Sequence, residues 1–256
     1  MEYIVFIKQV PASTNIYIDP ETNTLVRAGA KAQVNPYDLH ALQAAVEMKT
    51  QTGGTITVVS MGPPQAEAAL REAMVFGADE AVLLSDRAFA GSDTWSTSAI
   101  LAAAVRKLAK GDVLLFGKQA IDGDTAQVGP GVAAQLNLPQ LTDLVRICEL
   151  SNKDITLEKR TDRGVQKLRV TLPCAVTVTK EANKLPHPTI RQWEAAQTKP
   201  LVRWGLQDLQ VNPDQIGLAG SPTRVVRTGV PERAGSVRMF ETVQDLATLI
   251  KTLETV

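Results

Sequence analysis

Cysteine is scarce in this 256-residue sequence. The only two, Cys148 and Cys174, lie far apart and outside any Cys-x-x-Cys or Cys/His cluster. This pattern argues against a disulfide framework or a zinc site, so a cytoplasmic location is expected. Long hydrophobic runs are also missing. The first apolar stretch ends at Lys8 and is too short for a signal sequence or a membrane span.

The chain also has no net charge and few aromatic residues. The 27 Lys and Arg residues balance 27 Asp and Glu residues, and aromatic residues make up only 4% of the chain. Without a net field or stacking platforms, binding of nucleic acid or of an anionic membrane has no support. Hydrophobic residues, in contrast, reach 44%, which suffices for a sizeable core in one large domain or in one domain plus an extension.

Short apolar runs alternate with helical patterns along the first half of the chain. The runs have strand length and lie at 3–7, 55–60, 81–84 and 113–116. Between them, small and apolar residues recur at the three- and four-residue spacings of one helix face. These helices are expected to begin near Asn35, Pro63 and Asp93 and to end by Gly53, Gly77 and Gly111. The order predicts an α/β fold with a doubly wound, mostly parallel sheet over residues 1 to about 140.

The pattern changes after Pro139. Four runs at 144–150, 155–159, 167–172 and 175–180 predict further strands, so a β-rich extension of the sheet is expected. Prolines then interrupt the chain from Pro186 onward, and a last helical stripe runs from Val243 to Leu253. We interpret residues 1–185 as an α/β nucleotide-binding domain and 186–256 as an arm, with a terminal helix, that wraps a partner subunit. A linker whose final helix packs on its own chain is the alternative.

Residues 117–130 form the segment with the most chemical information. They follow an apolar strand, so in an open α/β sheet they lie where ligands bind. The polar residues 122–125 are expected to cap the next helix, whose first free amides near Ala126, Gln127 and Val128 would face an anionic phosphate. An ordinary turn with a helix cap fits equally well. Neither Gly-x-Gly-x-x-Gly nor a Walker A pattern occurs.

Three other loops are expected at the same edge of a parallel sheet: 8–11, 60–64 and 85–94. The third is long and polar, as a flavin ring edge requires, although a solvated loop that caps a helix explains it as well. His40, near a helix start, fits a structural histidine better than a base. No Ser/His/Asp or Cys/His arrangement supports hydrolytic catalysis.

These segments together resemble the β subunit of electron transfer flavoproteins over essentially the whole chain. The matching motifs are Val5-x-Ile7-Lys8-Gln9-Val10, Asn35-Pro36-Tyr37-Asp38, Val59-Ser60-Met61-Gly62-Pro63, Phe76-Gly77-Ala78-Asp79-Glu80, Gly117-Lys118-Gln119-Ala120-Ile121-Asp122, and a signature from Asp162-x-Gly164 through Leu172-Pro173 to Asn183. Two positions depart from the family pattern. Lys159 replaces a usual arginine, and Leu185-Pro186-His187 replaces a usual Pro-Arg, which bears on the choice of partner.

The resemblance implies a three-layer, adenine-nucleotide-binding, HUP-like fold and one of two cofactors. Housekeeping β subunits hold a structural AMP behind an Asp-Asp-Asp-Cys-Asn-Gln-Thr loop. Here the loop reads Asp122-Gly-Asp-Thr-Ala-Gln-Val128, which resembles the electron-bifurcating type with a second FAD. The loop 85–94 agrees with that type. Gly123 would let the backbone approach a pyrophosphate.

By this resemblance, the chain binds FAD, accepts hydride from NADH and passes the electrons separately. One goes to ferredoxin or flavodoxin, and the other goes through the FAD of the α subunit to an acyl-CoA or other flavin dehydrogenase or a quinone acceptor. The implied cofactor-binding residues are Phe6, Asn35, Asp38, Ser60, Met61, Gly62, Asp93, Thr94, Thr97, Gln119, Asp122, Gly123, Asp124, Thr125, Ala126, Gln127 and Val128. In the recognition loop 183–196, Ile190 and Trp193 are the implied contacts to a dehydrogenase. Covering the core is their alternative role.

Two other interpretations remain. In the first, the chain is a non-bifurcating β subunit that holds AMP and carries no electrons. In the second, it is an ATP-binding protein of the universal-stress type, but the Gly-x2-Gly-x9-Gly phosphate loop of that type is missing and the long C-terminal segment stays unexplained.

Overall fold

The computed structural model describes residues 1–12, 17–18, 25–26, 32–226, 240 and 242–253. Within these residues the strands are β1 (Glu2–Phe6), β2 (Gln9–Pro11), β3 (Tyr17–Ile18), β4 (Leu25–Val26), β5 (Ala32–Val34), β6 (Thr55–Met61), β7 (Glu80–Leu84), β8 (Val113–Gly117), β9 (Gln140–Leu150), β10 (Asp154–Thr161), β11 (Gly164–Thr171), β12 (Cys174–Val178) and β13 (Leu201–Trp204). The α-helices are α1 (Pro36–Thr52), α2 (Glu67–Val75), α3 (Thr94–Leu108), α4 (Val128–Leu136), α5 (Ile190–Thr198) and α6 (Val243–Leu253).

Nine strands form one sheet in the order β11-β10-β9-β12-β8-β1-β6-β7-β13. The seven strands from β9 to β13 in this order pair in parallel, and β10 and β11 extend the sheet as an antiparallel hairpin. The predicted doubly wound, mostly parallel sheet and its β-rich extension are therefore confirmed.

The helix boundaries follow from local chemistry. Pro36 occupies the first turn of α1, where its missing N–H costs no hydrogen bond, and Gly53 ends the helix with a positive φ of 70°. The side chain of Asp93 caps α3 by accepting a hydrogen bond from the amide of Ser96. These ends agree with those expected from the sequence.

Two apolar clusters cover the two faces of the sheet. One packs α1, α2 and α5 against one face, and the other packs α3 and α4 against the opposite face. Strands covered on both sides explain the nearly continuous apolar runs of β1, β6, β7 and β8. The chain moves outward from β1 to β6 and β7 and then returns to place β8 on the other side of β1. Ligands of open α/β sheets bind at such a reversal, so the loops after β1 and β8 are the first place to look for a site.

The segment that follows Glu181 has more structure than its sequence predicts. The expected irregular arm contains α5, and β13 pairs with β7 as the edge strand of the main sheet. Residues 190–204 therefore pack on the first domain, and the division at residue 185 stays a prediction. The terminal helix is confirmed as α6. The arm residues 227–239, 241 and 254–256 lie outside the described residues.

Two features are absent from the described ranges. No helix there combines the length and the apolar character needed to cross a bilayer. No group of three or more His, Cys, Asp or Glu side chains there is arranged to hold a metal ion. Cys148 and Cys174 are both free.

Candidate nucleotide site at the reversal of strand order

The side chain of Asn35 connects the loop after β8 with the first turn of α1. Its Nδ2 donates to Asp38 Oδ1 and to the carbonyl oxygen of Gln119, both at 2.9 Å. Its Oδ1 accepts from the amide of Ile121 at 3.2 Å. The side chain is fully buried. One amide group therefore fixes the loop after β8 against the start of α1.

Asp38 completes this connection in the first turn of α1. Its Oδ2 accepts from the amide of Lys8, just after β1, at 2.7 Å. A Cβ at Gly117 would lie 2.3 Å from Asp38 Oδ1, so only glycine fits there. Burial raises the pKa of Asp38 to about 7, against the opposing effect of its hydrogen bonds from Asn35, Lys8 and Gly117.

The loop between β8 and α4 is exposed from residue 121 to residue 127, and its carboxylates have partners. Asp122 forms a 2.7 Å ion pair with Lys8 Nζ, and Asp124 accepts a hydrogen bond from Gln119 Nε2. A Cβ on Gly123 would find no atom closer than Lys8 Nζ at 4.0 Å, so the backbone there stays open to a ligand. The amides of Gly123 and Asp124 donate to the Ala120 carbonyl oxygen, so the amides that the loop can offer an anion are those closer to α4.

The start of α4 differs from the expectation in one respect. Residues 122–125 do not cap the helix: α4 begins at Val128, and its N-cap residue Gln127 makes no side-chain cap hydrogen bond. The prediction was wrong because Asp122 and Asp124 bind Lys8 and Gln119 instead. The amides of Val128 and Gly129 keep no partner within the helix, and Pro130 adds no donor.

The backbone before α4 is shaped to direct these amides. Ala126 has a positive φ of 54°, and Gln127 follows in the right-handed helical region. Such an alternation turns consecutive N–H groups toward one side and forms an anion-binding concavity. For an alanine this conformation is strained, and such strain is concentrated at functional sites.

The N-terminus of α3 lies beside the N-terminus of α4. Thr94 Oγ1 donates to Gln127 Oε1 at 2.9 Å, and Ser98 Oγ approaches the Val128 carbonyl oxygen at 3.4 Å. Thr97 lies half-buried in the first turn of α3. The positive ends of two helix dipoles thus meet at the residues predicted to surround a flavin.

Asp93 is predicted to lie beside the flavin ring, and its carboxylate accepts three hydrogen bonds from within the chain. Its Oδ1 accepts from the Ser96 amide at 3.0 Å, and its Oδ2 accepts from both the amide and the hydroxyl of Thr223. These three donors come from α3 and from the C-terminal segment. The role of Asp93 as a direct cofactor contact remains a prediction.

Ser60 and Met61 end β6, the strand beside β1, and Gly62 follows directly. Ser60 is buried, and among the described residues its hydroxyl has no hydrogen-bond partner. A buried polar atom without a partner is costly, and a bound ligand at this edge would explain it. Phe6 is buried and stacks on Phe116 with ring centroids 4.3 Å apart. Phe6 of β1 therefore packs against β8, within the sheet that carries the candidate site.

The two predicted partner contacts lie on α5, which packs against α2. Ile190 is 78% exposed and Trp193 is 47% exposed, whereas Ala196 of the same helix is fully buried. The alternative that Ile190 covers the core therefore has no support. Their function as partner contacts remains a prediction.

Sequence reasoning missed Lys8 as a site residue. Its place directly after the first strand was a signal, but its ion pair with Asp122, 114 positions along the chain, is a product of the fold. Helix α5 was not expected from the sequence either. The capping box formed by Thr189 and Gln192 was its signal in the sequence.

The sequence is similar to those of known proteins. Residues 22–209 match the electron transfer flavoprotein domain family. The chain is 46% identical over 252 residues to Protein FixA of Bradyrhizobium diazoefficiens, covering 94% of this chain and 88% of that protein. It is 45% identical to the electron transfer flavoprotein subunit beta of Thermoanaerobacterium thermosaccharolyticum, covering 96% of each. It is 42% identical to the caffeyl-CoA reductase-Etf complex subunit CarD of Acetobacterium woodii, covering 96% of this chain and 95% of that protein.

Proposed function

The chain belongs to the electron transfer flavoprotein family, and we propose that it is the β subunit of a bifurcating heterodimer. In this proposal it binds FAD, accepts hydride from NADH, and divides the two electrons. One electron reduces ferredoxin or flavodoxin. The other passes through the FAD of the α subunit to a dehydrogenase or a quinone acceptor. The two free cysteines are compatible with the cytoplasmic location that the proposal assumes.

The observation that carries this proposal is the loop between β8 and α4. Its residues from 121 to 127 are exposed, Asp122 and Asp124 already have partners in Lys8 and Gln119, and it lies at the reversal of strand order. A pyrophosphate is bound by amide donors that no carboxylate competes with. The amides near Ala126, Gln127 and Val128 support such binding, and the Ser60 hydroxyl, which has no partner among the described residues, would give the adenosine half a polar contact.

The meeting of α3 and α4 favours FAD over AMP in this proposal. The bond between Thr94 and Gln127 places the first turn of α3 directly beside the phosphate loop. A dinucleotide can extend from the loop along that turn, whereas AMP needs only the loop and the adenosine contacts. FAD, when bound, supplies the redox chemistry. The chain holds and orients it and sets the charge around it.

The residues divide into three groups by what they do in this proposal. Asn35, Asp38 and Ser60 form the adenosine end, and residues 122–128 surround the phosphates. Thr94 and Thr97 border the ring. Because two helix N-termini point positive charge toward this region, they would stabilise negative charge that arrives with the electrons.

The acceptor is proposed from the surface and from a relative. CarD carries the name of a caffeyl-CoA reductase-Etf complex, which favours a flavin dehydrogenase of CoA thioesters as the partner here. The exposed pair Ile190 and Trp193 offers an apolar contact on a fixed helix. Such contacts bind with little ordering cost.

Electron division is tested by reducing ferredoxin with NADH under anaerobic conditions. The purified heterodimer is mixed with NADH and ferredoxin, with and without a high-potential acceptor. We expect ferredoxin reduction only when both acceptors are present, because the energy for the low-potential electron comes from the other transfer. NADH oxidation with the high-potential acceptor alone, without any ferredoxin reduction when both are present, would contradict the proposal.

A non-bifurcating β subunit with a structural AMP is the second candidate. The same loop and the Asn35–Asp38 pair can hold one phosphate and an adenosine. This candidate predicts no reaction of the β-site nucleotide with NADH. The nucleotide content of the complex distinguishes the two.

A further inference from the structure

The C-terminal segment 217–223 lies along the loop that precedes α3. The amide of Asp93 donates to Ser221 Oγ at 2.9 Å. In return, the amide and the hydroxyl of Thr223 donate to Asp93 Oδ2 at 2.9 and 2.8 Å. These bonds join Asp93 to residues 128 and 130 positions further along the chain, in the part that the sequence analysis assigned to an arm.

The two backbones also touch directly. Gly217 has a positive φ of 61°, and a Cβ there would lie 2.1 Å from the carbonyl oxygen of Ala88. A Cβ on Gly91, which has a φ of 75°, would lie 3.1 Å from Leu218 Cβ. Ser221 Oγ closes the segment by donating to the Gly217 carbonyl oxygen at 2.6 Å. Segment 217–223 therefore packs closely against the loop, with no room for a side chain at Gly217.

Asp93 connects this contact between segment 217–223 and the loop to the candidate nucleotide site. Its other oxygen caps α3 through Ser96, and the next residue, Thr94, donates to Gln127 in the phosphate loop. Burial acts to raise the pKa of Asp93, but the donors from Ser96 and Thr223 outweigh it and lower that pKa. The carboxylate is thus charged and shared between two structures.

We propose that Asp93 is a positioning residue that clamps segment 217–223 to the start of α3 and thereby fixes Thr94 and Gln127 for the bound nucleotide. This inference rests on the proposed function, in that the site binds FAD or AMP. It differs from the sequence prediction, in which Asp93 touches the cofactor. Because binding linkage is reciprocal, loosening the segment weakens nucleotide binding, and nucleotide binding steadies the segment.

Three substitutions separate clamping from direct contact. Asp93→Asn keeps a good helix cap but removes the charge. Thr223→Val and Ser221→Ala each remove one hydroxyl of the clamp from the other side without altering Asp93, and the backbone amide of Thr223 stays in place. Thr161→Val is the matched control, because it removes a threonine hydroxyl bonded to a backbone oxygen in the distant β10–β11 turn.

Two measurements are made on each purified heterodimer. Hydrogen exchange of peptides that cover 216–226 reports the clamp, and release of FAD on dilution, followed by its fluorescence, reports the site. If the wild-type complex carries AMP, released AMP is quantified instead. We expect all three clamp variants to speed exchange and to weaken nucleotide retention. The loss should be roughly tenfold for Asp93→Asn and Thr223→Val, which weaken a hydrogen bond to a charged group, and smaller for Ser221→Ala, which removes one between neutral groups. The control should change neither.

Two results would overturn the proposal. If only Asp93→Asn weakens retention, Asp93 contacts the nucleotide directly. If all three variants speed exchange but retention is unchanged, the segment is not coupled to the site. Both results are independent of whether the nucleotide is FAD or AMP, so failure of the clamp is distinguishable from failure of the proposed function.

Discussion

Asp122 lies in the loop that we propose to bind phosphate, where a carboxylate needs a counter-charge. In this chain the ion pair between Lys8 and Asp122, at 2.7 Å, supplies it. The pair is partly exposed and adds little to folding stability. Its larger effect is expected on nucleotide binding, because an unpaired Asp122 would repel the phosphates.

A double-mutant cycle on Lys8 and Asp122 tests this role. Lys8→Gln should weaken nucleotide binding by roughly tenfold, in the usual range of coupling between contacting residues. Lys8→Gln combined with Asp122→Asn should restore binding close to that of the wild type, because no free carboxylate remains. Dissociation constants are measured by isothermal titration into complexes stripped of nucleotide. If the double variant binds as weakly as Lys8→Gln alone, Lys8 contacts the phosphate itself.

Asp38 predicts a pH dependence of stability. Burial raises its pKa in the folded chain from 3.8 to about 7. The folded state therefore binds a proton that the unfolded state has lost between these two values. The stabilising effect is complete below about pH 4, is lost as the pH rises to about 7, and changes no further above that. The slope is about 1.4 kcal/mol for each pH unit within that range.

The comparison of wild type with Asp38→Asn isolates this effect. We expect the melting temperature of the wild-type complex to rise relative to the variant when the pH falls from 8.0 to 5.5. Asparagine removes the titration and keeps most of the hydrogen-bonding shape. A difference between the two proteins that is the same at both pH values would show that Asp38 stays ionised throughout.

Helices α5 and α2 are held together by two basic side chains, each of which binds carbonyl oxygens near the C-terminal end of the other helix. Arg71 of α2 donates to the carbonyl oxygen of Lys199, at the end of α5, at 2.9 Å. Lys199 Nζ in turn donates to the carbonyl oxygens of Met74 and Ala78, at the end of α2. Each cation lies at the negative end of the other helix, which is the favourable position. The helix that carries Ile190 is therefore fixed in place before any partner binds.

Ile190→Ala is expected to weaken coupling to the dehydrogenase and to leave the nucleotide content unchanged. An exposed aliphatic anchor typically accounts for about tenfold in affinity, so the KM for the dehydrogenase should rise by about that factor. Val165→Ala serves as the control, since Val165 is 53% exposed on β11 at the far side of the sheet. Loss of nucleotide from the Ile190 variant would remove Ile190 from the partner surface.

The elements with strong periodicity were predictable, and the short ones were not. Strands β1, β6, β7 and β8 are apolar because both faces are covered, so composition alone locates them. Helix α5 and strand β13 are short and largely polar or exposed, and their tertiary contacts with α2 and β7 determine them. No single-sequence pattern encodes such contacts.

The same limit applies to the site. Its location followed from the strand ends, because parallel strands bring their carboxyl ends to one edge. The bonding within it did not follow, because Asp122 and Asp93 find partners more than a hundred residues away. The expected helix cap at 122–125 was therefore wrong.

In the whole chain, the residues predicted to bind nucleotide and those predicted to bind a partner lie on different elements. The predicted nucleotide residues lie at the carboxyl ends of the strands, whereas Ile190 and Trp193 lie on α5. Exposed Val243, Leu246 and Ile250 on α6 provide a further apolar surface, which we expect to meet the α subunit.

The central claim is that the β site of the heterodimer holds FAD. The most direct measurement is to purify the chain with its α subunit, denature the complex and quantify the released nucleotides. The account predicts two FAD and no AMP per heterodimer. One FAD with one AMP would contradict it, and would make the chain a structural β subunit that carries no electrons.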